Sequence, residues 1–267
     1  LTPDDFDLQN DIVGLLSAET FFAHVSRNIQ KIPTRSLPTA GVRINEGGYY
    51  EMLYNPDFMS GLTKEQRFGV LMHEYLHITL AHLTSRLVGK TFDRVMNIAG
   101  DLAINSHIPE NKLPGECCIP EKGVFADLPA KQAMEWYYNK IKQDKDLSEK
   151  LNAMGLDSMD DHDLWGDNGE SNISSEMRAV AKARLKEMLE KAKQECDKKN
   201  SWGSVSQQLQ AEIRKFCSGE IDWKSVLRYF IRCSRRADKT HTVKRINKRF
   251  PYIHAGTKVS RKSNIAI

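Results

Sequence analysis

The spacing of apolar residues along the chain predicts a mainly helical protein with a small antiparallel sheet, which is the α+β class. Apolar positions recur at helical spacing up to residue 32, and prolines in the segment 33–38 interrupt them. Helical spacing returns in five later stretches, which are residues 91–108, 129–143, 174–199, 205–217 and 222–236.

A further helix is predicted over residues 63–87. Thr63 is followed three residues later by Gln66, a capping-box pattern in which each side chain bonds the other residue's backbone N–H at a helix start. Gly89 is a residue type that commonly ends a helix. Two segments between helices are predicted as loops, the proline-rich 111–129 and the acidic 155–171.

Residues 42–56 predict a short β-hairpin ahead of this helix. β-Branched and aromatic residues alternate on either side of a Glu-Gly-Gly turn at 46–48, and Pro56 closes the second strand. The second strand, residues 49–55, could pair with an extended peptide by strand addition. Packing against the helix is the alternative role for this strand.

The predicted helix 63–87 contains the pattern H-E-x-x-H, formed by His73, Glu74 and His77. Two histidines four residues apart on a helix project from one face and can bind one metal ion together. Glu74 is offset from His73 by about 100° and can act as general base towards a metal-bound water. Ordinary core or surface histidines are the alternative, but burying these groups without a partner would cost roughly several kcal/mol.

A catalytic zinc ion needs a third protein ligand and an open position. His82 is close in sequence, but five residues beyond His77 on a continuous helix its side chain points about 140° away. His82 could reach the ion only if the helix broke. We therefore predict that His82 is a hydrogen-bond partner of the ligands or a structural residue.

The helix 91–108 offers a better third ligand. Asn97, Asp101 and Asn105 recur every four residues on an otherwise apolar helix, which places them on one polar stripe. A buried carboxylate needs a cation, and a zinc ion held by the preceding helix would supply one. Asp101 is thus the predicted third ligand, with Asn97 and Asn105 as hydrogen-bonding or packing groups around it. The alternative is an ion pair between Asp101 and a core arginine, Arg67 or Arg94.

Two further histidines are candidates for a role above the site. His107 lies near the end of the helix 91–108, and His162 lies in the acidic loop 155–171. Either could stabilise an oxyanion or donate a proton. The alternative for each is an ordinary loop or helix-end residue.

Composition limits the class of protein. At 267 residues and 40% apolar content the chain can build a core, and no apolar run approaches the roughly 18 residues that span a membrane. The first residues lack the features of a signal peptide, so we expect a cytoplasmic location without membrane contact. The five cysteines form no C-x-x-C pair, and their odd number predicts reduced thiols.

Basic residues are concentrated at the carboxyl end. Residues 223–267 contain thirteen Lys or Arg and one acid, so the first 222 residues carry a net charge of about −8. Nucleic-acid binding by this segment is one reading, but it has no nucleic-acid motif. A solvated face, a linker or a contact with the acidic remainder of the chain are the others.

Four stretches resemble a known family. They are "VLMHEYLHITLAHLTSR", "NIAGDLAINSHI", "LPGECCIPEKGVFADLPAKQAMEWYYNKI" and "RRADKTHTVKRINKRFP". They are similar to the metallopeptidase domain found ahead of von Willebrand factor A-like domains, often encoded near MoxR-type AAA+ ATPases in bacteria and their phages. The resemblance implies a zincin-like fold with His73, His77 and Asp101 as ligands and Glu74 as the catalytic acid.

The resemblance also implies an arrangement of domains. Residues 1–222 would form the zincin-like domain, and the basic segment 223–267 would lead into a von Willebrand A-like domain. The chain ends at "SNIAI", where the first strand of that domain would begin, so we expect a fragment or a truncated relative. A MoxR-type AAA+ ATPase is the implied partner, in a bacterial cell or a phage-infected host.

These patterns together predict a hydrolase that binds one Zn²⁺ ion and uses Glu74 as general base. The resemblance and the edge of the hairpin imply that the substrate is a peptide or protein, so we expect a zinc-dependent peptidase. The alternative is an inactive, zinc-stabilised scaffold that works with an AAA+ ATPase or in phage assembly. Glu74→Gln distinguishes the two, because a peptidase would lose turnover while a scaffold would keep its partner.

Overall fold

The structure is a computed structural model, which describes residues 6–84, 94–115, 117–154, 174–219, 223–237, 239–246 and 255–259. The helices are α1 (Gln9–Ala18), α2 (Thr20–Ser26), α3 (Pro56–Gly61), α4 (Lys64–Thr79), α5 (Arg94–Asn105), α6 (Met134–Gln143), α7 (Lys145–Met154), α8 (Ser175–Lys198), α9 (Gln207–Ser218) and α10 (Trp223–Ala237). The strands are β1 (Ile29–Pro33), β2 (Ala40–Ile44), β3 (Tyr50–Tyr54), β4 (Lys239–Ile246) and β5 (Ala255–Val259).

The predicted class is confirmed, because helices dominate and a small sheet lies beside them. The helices predicted in the second half of the chain appear as α6, α8, α9 and α10. In the described residues of the predicted loop 111–129, the helical elements are short 3-10 turns, at Glu110–Lys112 and Gly123–Phe125. The short helices α3 and α7 were not predicted.

The predicted hairpin is confirmed as β2 and β3, which pair antiparallel from Ala40↔Tyr54 to Ile44↔Tyr50. The Asn45 side chain holds the turn, since its Oδ1 accepts from the backbone N–H groups of Gly47 and Tyr49, both at 3.0 Å. Gly48 has a φ of +72°, which suits glycine. The alternation of residues around the turn therefore predicted this hairpin correctly.

A third strand makes the sheet mixed rather than purely antiparallel. β1 pairs parallel with β3, from Ile29↔Tyr50 to Pro33↔Tyr54, so the strand order is β1-β3-β2. Residues 29–32 had been included in the helical opening, because their apolar spacing fits a helix as well as a strand. The predicted strand addition at residues 49–55 is wrong, since β3 is the central strand and both of its edges are already paired.

Helix α4 runs through the middle of the fold. It begins with the predicted capping box, in which Thr63 accepts from the Gln66 N–H and the Gln66 side chain accepts from the Thr63 N–H. Residues 68–84 are buried without exception. The helix packs against α1, α2, α5, α8 and β2. The polar side chains of α4 from His73 onward therefore face protein rather than solvent.

The basic carboxyl end contains more regular structure than predicted. α10 packs on α8, and the Tyr229 hydroxyl donates to the Glu46 carbonyl at 3.1 Å. β4 and β5 then pair as an antiparallel hairpin, which the sequence did not predict. The domain boundary at residue 222 stays a prediction.

Among the described residues, none of the helices combines the length and apolar character that crossing a lipid bilayer requires. Four cysteines in the described part are free thiols, namely Cys117, Cys118, Cys196 and Cys217.

Candidate metal centre

Helix α4 brings His73 and His77 together on one buried face. The residues are one turn apart, and their ring centroids are separated by 4.7 Å. Their Nε2 atoms lie 2.9 Å from each other. Both nitrogens therefore point to the same small volume.

Asp101 on α5 completes a cluster with these rings. Its Oδ1 lies 3.6 Å from Nε2 of His73 and 3.6 Å from Nε2 of His77. The residue is 2% exposed. In the described part of the chain, these three residues form the group whose possible ligand atoms all lie within 4.8 Å of one another.

The spacing of the three atoms fits a tetrahedral metal ion. Zinc binds histidine nitrogen and carboxylate oxygen at about 2.0–2.1 Å, so two ligand atoms of a tetrahedral site lie roughly 3.3–3.4 Å apart. The observed triangle has sides of 2.9, 3.6 and 3.6 Å, so an ion about 2.1 Å from all three atoms would lie slightly above the plane of the triangle, as in a distorted tetrahedral site. Three protein ligands leave a fourth position for water or substrate.

Asn105 fixes the orientation of the His73 ring. Its Oδ1 lies 2.8 Å from His73 Nδ1, and its Nδ2 donates to the Cys118 carbonyl at 2.9 Å. Because the amide nitrogen is bonded to a carbonyl, the oxygen faces the ring and accepts the proton of Nδ1. The lone pair of His73 is then on Nε2, where a metal ligand needs it.

Helix α4 ends well before its predicted end at residue 87. Ala81 adopts a φ of +57°, the left-handed region. The Ala81 N–H donates to the Ile78 carbonyl at 2.9 Å, and the His82 N–H donates to the His77 carbonyl at 3.0 Å. These two bonds are a Schellman motif, which ends helices and usually has glycine at the left-handed position. The prediction was wrong because an alanine occupies that position.

The turn at Ala81 places the His82 ring against His77. The two Nδ1 atoms lie 3.1 Å apart, and both residues are fully buried. The predicted angle of about 140° between these side chains assumed a continuous helix and does not apply. If His77 held a metal ion through Nε2, its proton would be on Nδ1 and would be donated to His82 Nδ1.

Each histidine of the cluster thus has a hydrogen-bond partner at Nδ1, namely Asn105 for His73 and His82 for His77. With both Nδ1 protons donated to these partners, two Nε2 lone pairs and a carboxylate oxygen would converge on one buried point. Such a set is repulsive alone and is stabilised by a divalent cation. Two imidazoles and one carboxylate are a donor set that zinc uses in catalytic sites.

Glu74 follows His73 on α4 and is 1% exposed. Its helical position is about 100° from that of His73 and about 60° from that of His77, so its carboxylate flanks the face that carries the ligands.

Burial raises the pKa of the neighbouring Tyr75, whose hydroxyl lies 3.0 Å from the Ser26 hydroxyl. Tyr75 therefore stays protonated at neutral pH.

A small cavity lies beside the cluster. Its volume of about 20 Å³ is enough for about one water molecule. On one side it is lined by His73, Asp101 and Asn105, and on the other by Gly69, Val70, Leu113, Pro114, Cys117 and Cys118. A water fits in this space, whereas a peptide would require the wall that carries Leu113 and Cys118 to move.

Gly69 allows this wall to approach α4 closely. A Cβ at Gly69 would lie 1.9 Å from the Lys112 carbonyl oxygen, so no other residue fits without a shift. Gly69 lies four residues before His73 and therefore on the same face of the helix. A glycine inside an apolar helix was the available signal for this contact. The Cys118 carbonyl, a backbone group, gave no signal in the sequence.

The other predicted residues are placed as follows. Asn97 does not hydrogen-bond with His73, His77 or Asp101, and its buried Oδ1 has no hydrogen-bond partner among the described residues. Nδ1 of His107 lies 3.3 Å from the Ser206 hydroxyl, and burial, with a smaller effect of Lys131, lowers the pKa of His107 to about 4. His162 lies outside the described residues.

Of the two arginines proposed as alternative partners of Asp101, Arg67 is paired with another residue. Arg67 Nε lies 2.7 Å from Asp11 Oδ2, so this guanidinium is paired at the other end of α4. The predicted alternative of an ion pair between Arg67 and Asp101 is therefore wrong.

Comparisons with known proteins identify the family of this chain. Residues 7–264 match the model of a family described as "Putative metallopeptidase domain". An uncharacterized protein of Thermotoga maritima is 23% identical over 271 residues, covering 92% of this chain and 64% of the relative. The chain thus spans a little under two thirds of that relative's length. No solved structure matches the chain.

Proposed function

The chain belongs to this family of putative metallopeptidase domains, and on that basis we propose that it is a zinc-dependent peptidase in which His73, His77 and Asp101 hold one ion. The strongest support is the convergence of two Nε2 atoms and one carboxylate oxygen, at 2.9 and 3.6 Å, on one buried point. The spacing of these atoms suits zinc, and three ligands leave room for a reacting water.

A zinc ion bound here would lower the pKa of a water in its open position and polarise the carbonyl of the substrate. Glu74 would accept the proton of the attacking water and pass it to the leaving amine nitrogen. Asn105 and His82 would keep both rings in the tautomer that ligation needs. The wall formed by Leu113, Pro114, Cys117 and Cys118 would exclude bulk solvent.

Peptide as the substrate class follows from the family. The MoxR-type ATPase partner and the von Willebrand A-like domain are not needed by this proposal and stay predictions from the sequence. The zincin-like character of the fold likewise stays part of the proposal.

The test measures metal content and peptide hydrolysis in the wild-type protein and two variants. We expect about one zinc per chain in wild type and in Glu74→Gln, and little in His77→Ala, because only the last loses a ligand. Hydrolysis of a mixed peptide substrate, followed by mass spectrometry, should be lost in both variants. Glu65→Gln, an exposed position on the same helix, is the control for the charge change.

Two results would contradict the proposal. Equal, near-zero metal content in wild type and His77→Ala would show that the chain has no metal centre. If wild type bound zinc but did not hydrolyse peptides, and Glu74→Gln behaved in the same way, the alternative of an inactive, zinc-stabilised scaffold would be supported.

A further inference from the structure

A second cavity lies at the carboxyl end of α4. Its volume is about 410 Å³, within the range of roughly 300–1,000 Å³ that is typical of small-molecule sites. Its floor is the turn Thr79–Ala81, and its walls come from α8 and α9. None of its described lining residues is shared with the cavity beside the cluster of His73, His77 and Asp101.

The walls of this cavity are tied together. Lys186 Nζ on α8 donates to the Gly219 carbonyl at 2.6 Å, and Gly219 is the residue that caps α9. This bond joins the two helices at one end of the cavity.

The lining combines apolar surface with charges of both signs. Leu80 and Phe216 supply apolar surface, while Lys182, Lys215 and Glu212 carry charge. Within the described part of the chain, none of the three charged groups has an ion-pair partner. Their charges are thus available to a ligand.

Helix ends add to this electrostatic pattern. α4 ends at Thr79 and α9 ends at Ser218, both beside the cavity. The carboxyl end of a helix carries a partial negative charge, which favours a cation. Lys182 and Lys215 favour an anion.

We propose that this cavity binds a small zwitterion with an apolar side chain, that is, an apolar amino acid or a dipeptide. Its carboxylate pairs with Lys182 and Lys215, its ammonium group with Glu212 and the helix ends, and its side chain packs on Phe216. A simple anion would face Glu212 and leave the apolar surface uncovered. A hydrocarbon would desolvate three charges without replacing their contacts with water.

The test compares three probes with the same side chain, L-leucine, N-acetyl-L-leucine and L-leucinamide, by saturation-transfer NMR on the full chain. We expect L-leucine to bind at least about threefold more tightly than either probe with one charge. Glu212→Gln should remove the advantage over N-acetyl-L-leucine. Lys182→Gln with Lys215→Gln should remove the advantage over L-leucinamide.

Two controls separate this site from the metal centre and from general charge effects. Lys191→Gln changes a lysine of α8 whose partner is Glu187 on the exposed face, and it should leave L-leucine binding unchanged. L-Leucine should also bind wild type stripped of metal with EDTA, because the proposed contacts include no metal ligand.

The proposal is overturned by any of three results. These are no saturation transfer to any probe at about 10 mM, equal binding of all three probes, or loss of L-leucine binding in the stripped protein. The last result would place the ligand on the metal centre, and none of them depends on whether the protein is a peptidase.

Discussion

The Nδ1 atoms of His77 and His82 lie 3.1 Å apart, although a continuous helix would direct their side chains about 140° away from each other. Ala81, with its φ of +57°, reverses the chain between them. In the proposed metal centre, His82 would accept the Nδ1 proton of His77. Such a partner fixes the ring and raises the basicity of the coordinating nitrogen.

His82→Ala should weaken zinc binding by about 10- to 100-fold without abolishing it, because the ligands remain while the orientation of His77 is lost. The measurement is a zinc competition titration against a chromophoric chelator. His24→Ala, a histidine of α2 that is not part of the cluster, is the matched control and should keep wild-type affinity. Wild-type affinity in His82→Ala would mean that His82 serves packing alone.

The cluster could largely be predicted because helical periodicity decides which side chains share a face. His73 and His77 follow from one interval of four residues, and Asp101 and Asn105 from another. The structure brings Asp101 to both rings and bonds Asn105 to one of them. Their chemical roles stay part of the proposed function.

Among the features that were not predicted are the parallel strand β1 and the turn that ends α4. β1 pairs with β3, whose residues lie about twenty positions later in the chain, and the local pattern of residues 29–33 is ambiguous. The turn after α4 has alanine where glycine is usual. Neither feature has a local signature in the sequence.

Ala81→Gly should raise the free energy of unfolding by up to about 1 kcal/mol, because glycine adopts a positive φ without the steric cost that alanine has. Part of this gain is offset by the larger conformational entropy of glycine in the unfolded chain. Thermal and urea unfolding measure the change. Ala179→Gly inside α8 is the control and should destabilise by about 1 kcal/mol. Destabilisation at both positions would contradict the strained helix end.

Gly69→Ala should destabilise the fold by roughly 1–3 kcal/mol, because a Cβ would lie 1.9 Å from the Lys112 carbonyl oxygen and the backbone must shift. Gly61→Ala is a matched control, since a Cβ there meets nothing within 4 Å. Urea unfolding compares the two variants. Equal stability would show that the wall beside the proposed metal centre moves away at little cost.

The pH dependence of stability should include a contribution from His107. Burial lowers its pKa to about 4 in the folded protein, whereas the unfolded value is about 6.5. Between these values the unfolded chain binds the proton more strongly. The contribution is therefore complete above pH 6.5 and is lost as the pH falls towards 4.

We expect the free energy of unfolding to fall more steeply between pH 6.5 and 4.5 in wild type than in His107→Asn. At about pH 4.5 the loss in wild type should exceed the loss in His107→Asn by at most roughly 2–3 kcal/mol. The upper bound applies to a fully buried ring, and the partial exposure of His107 reduces the effect. Urea titrations of both proteins in EDTA remove any contribution from bound metal. The other histidines titrate equally in the two proteins, so the difference between the two curves isolates His107. Parallel curves from pH 7 to 4.5 would show that its ring is hydrated in the folded state.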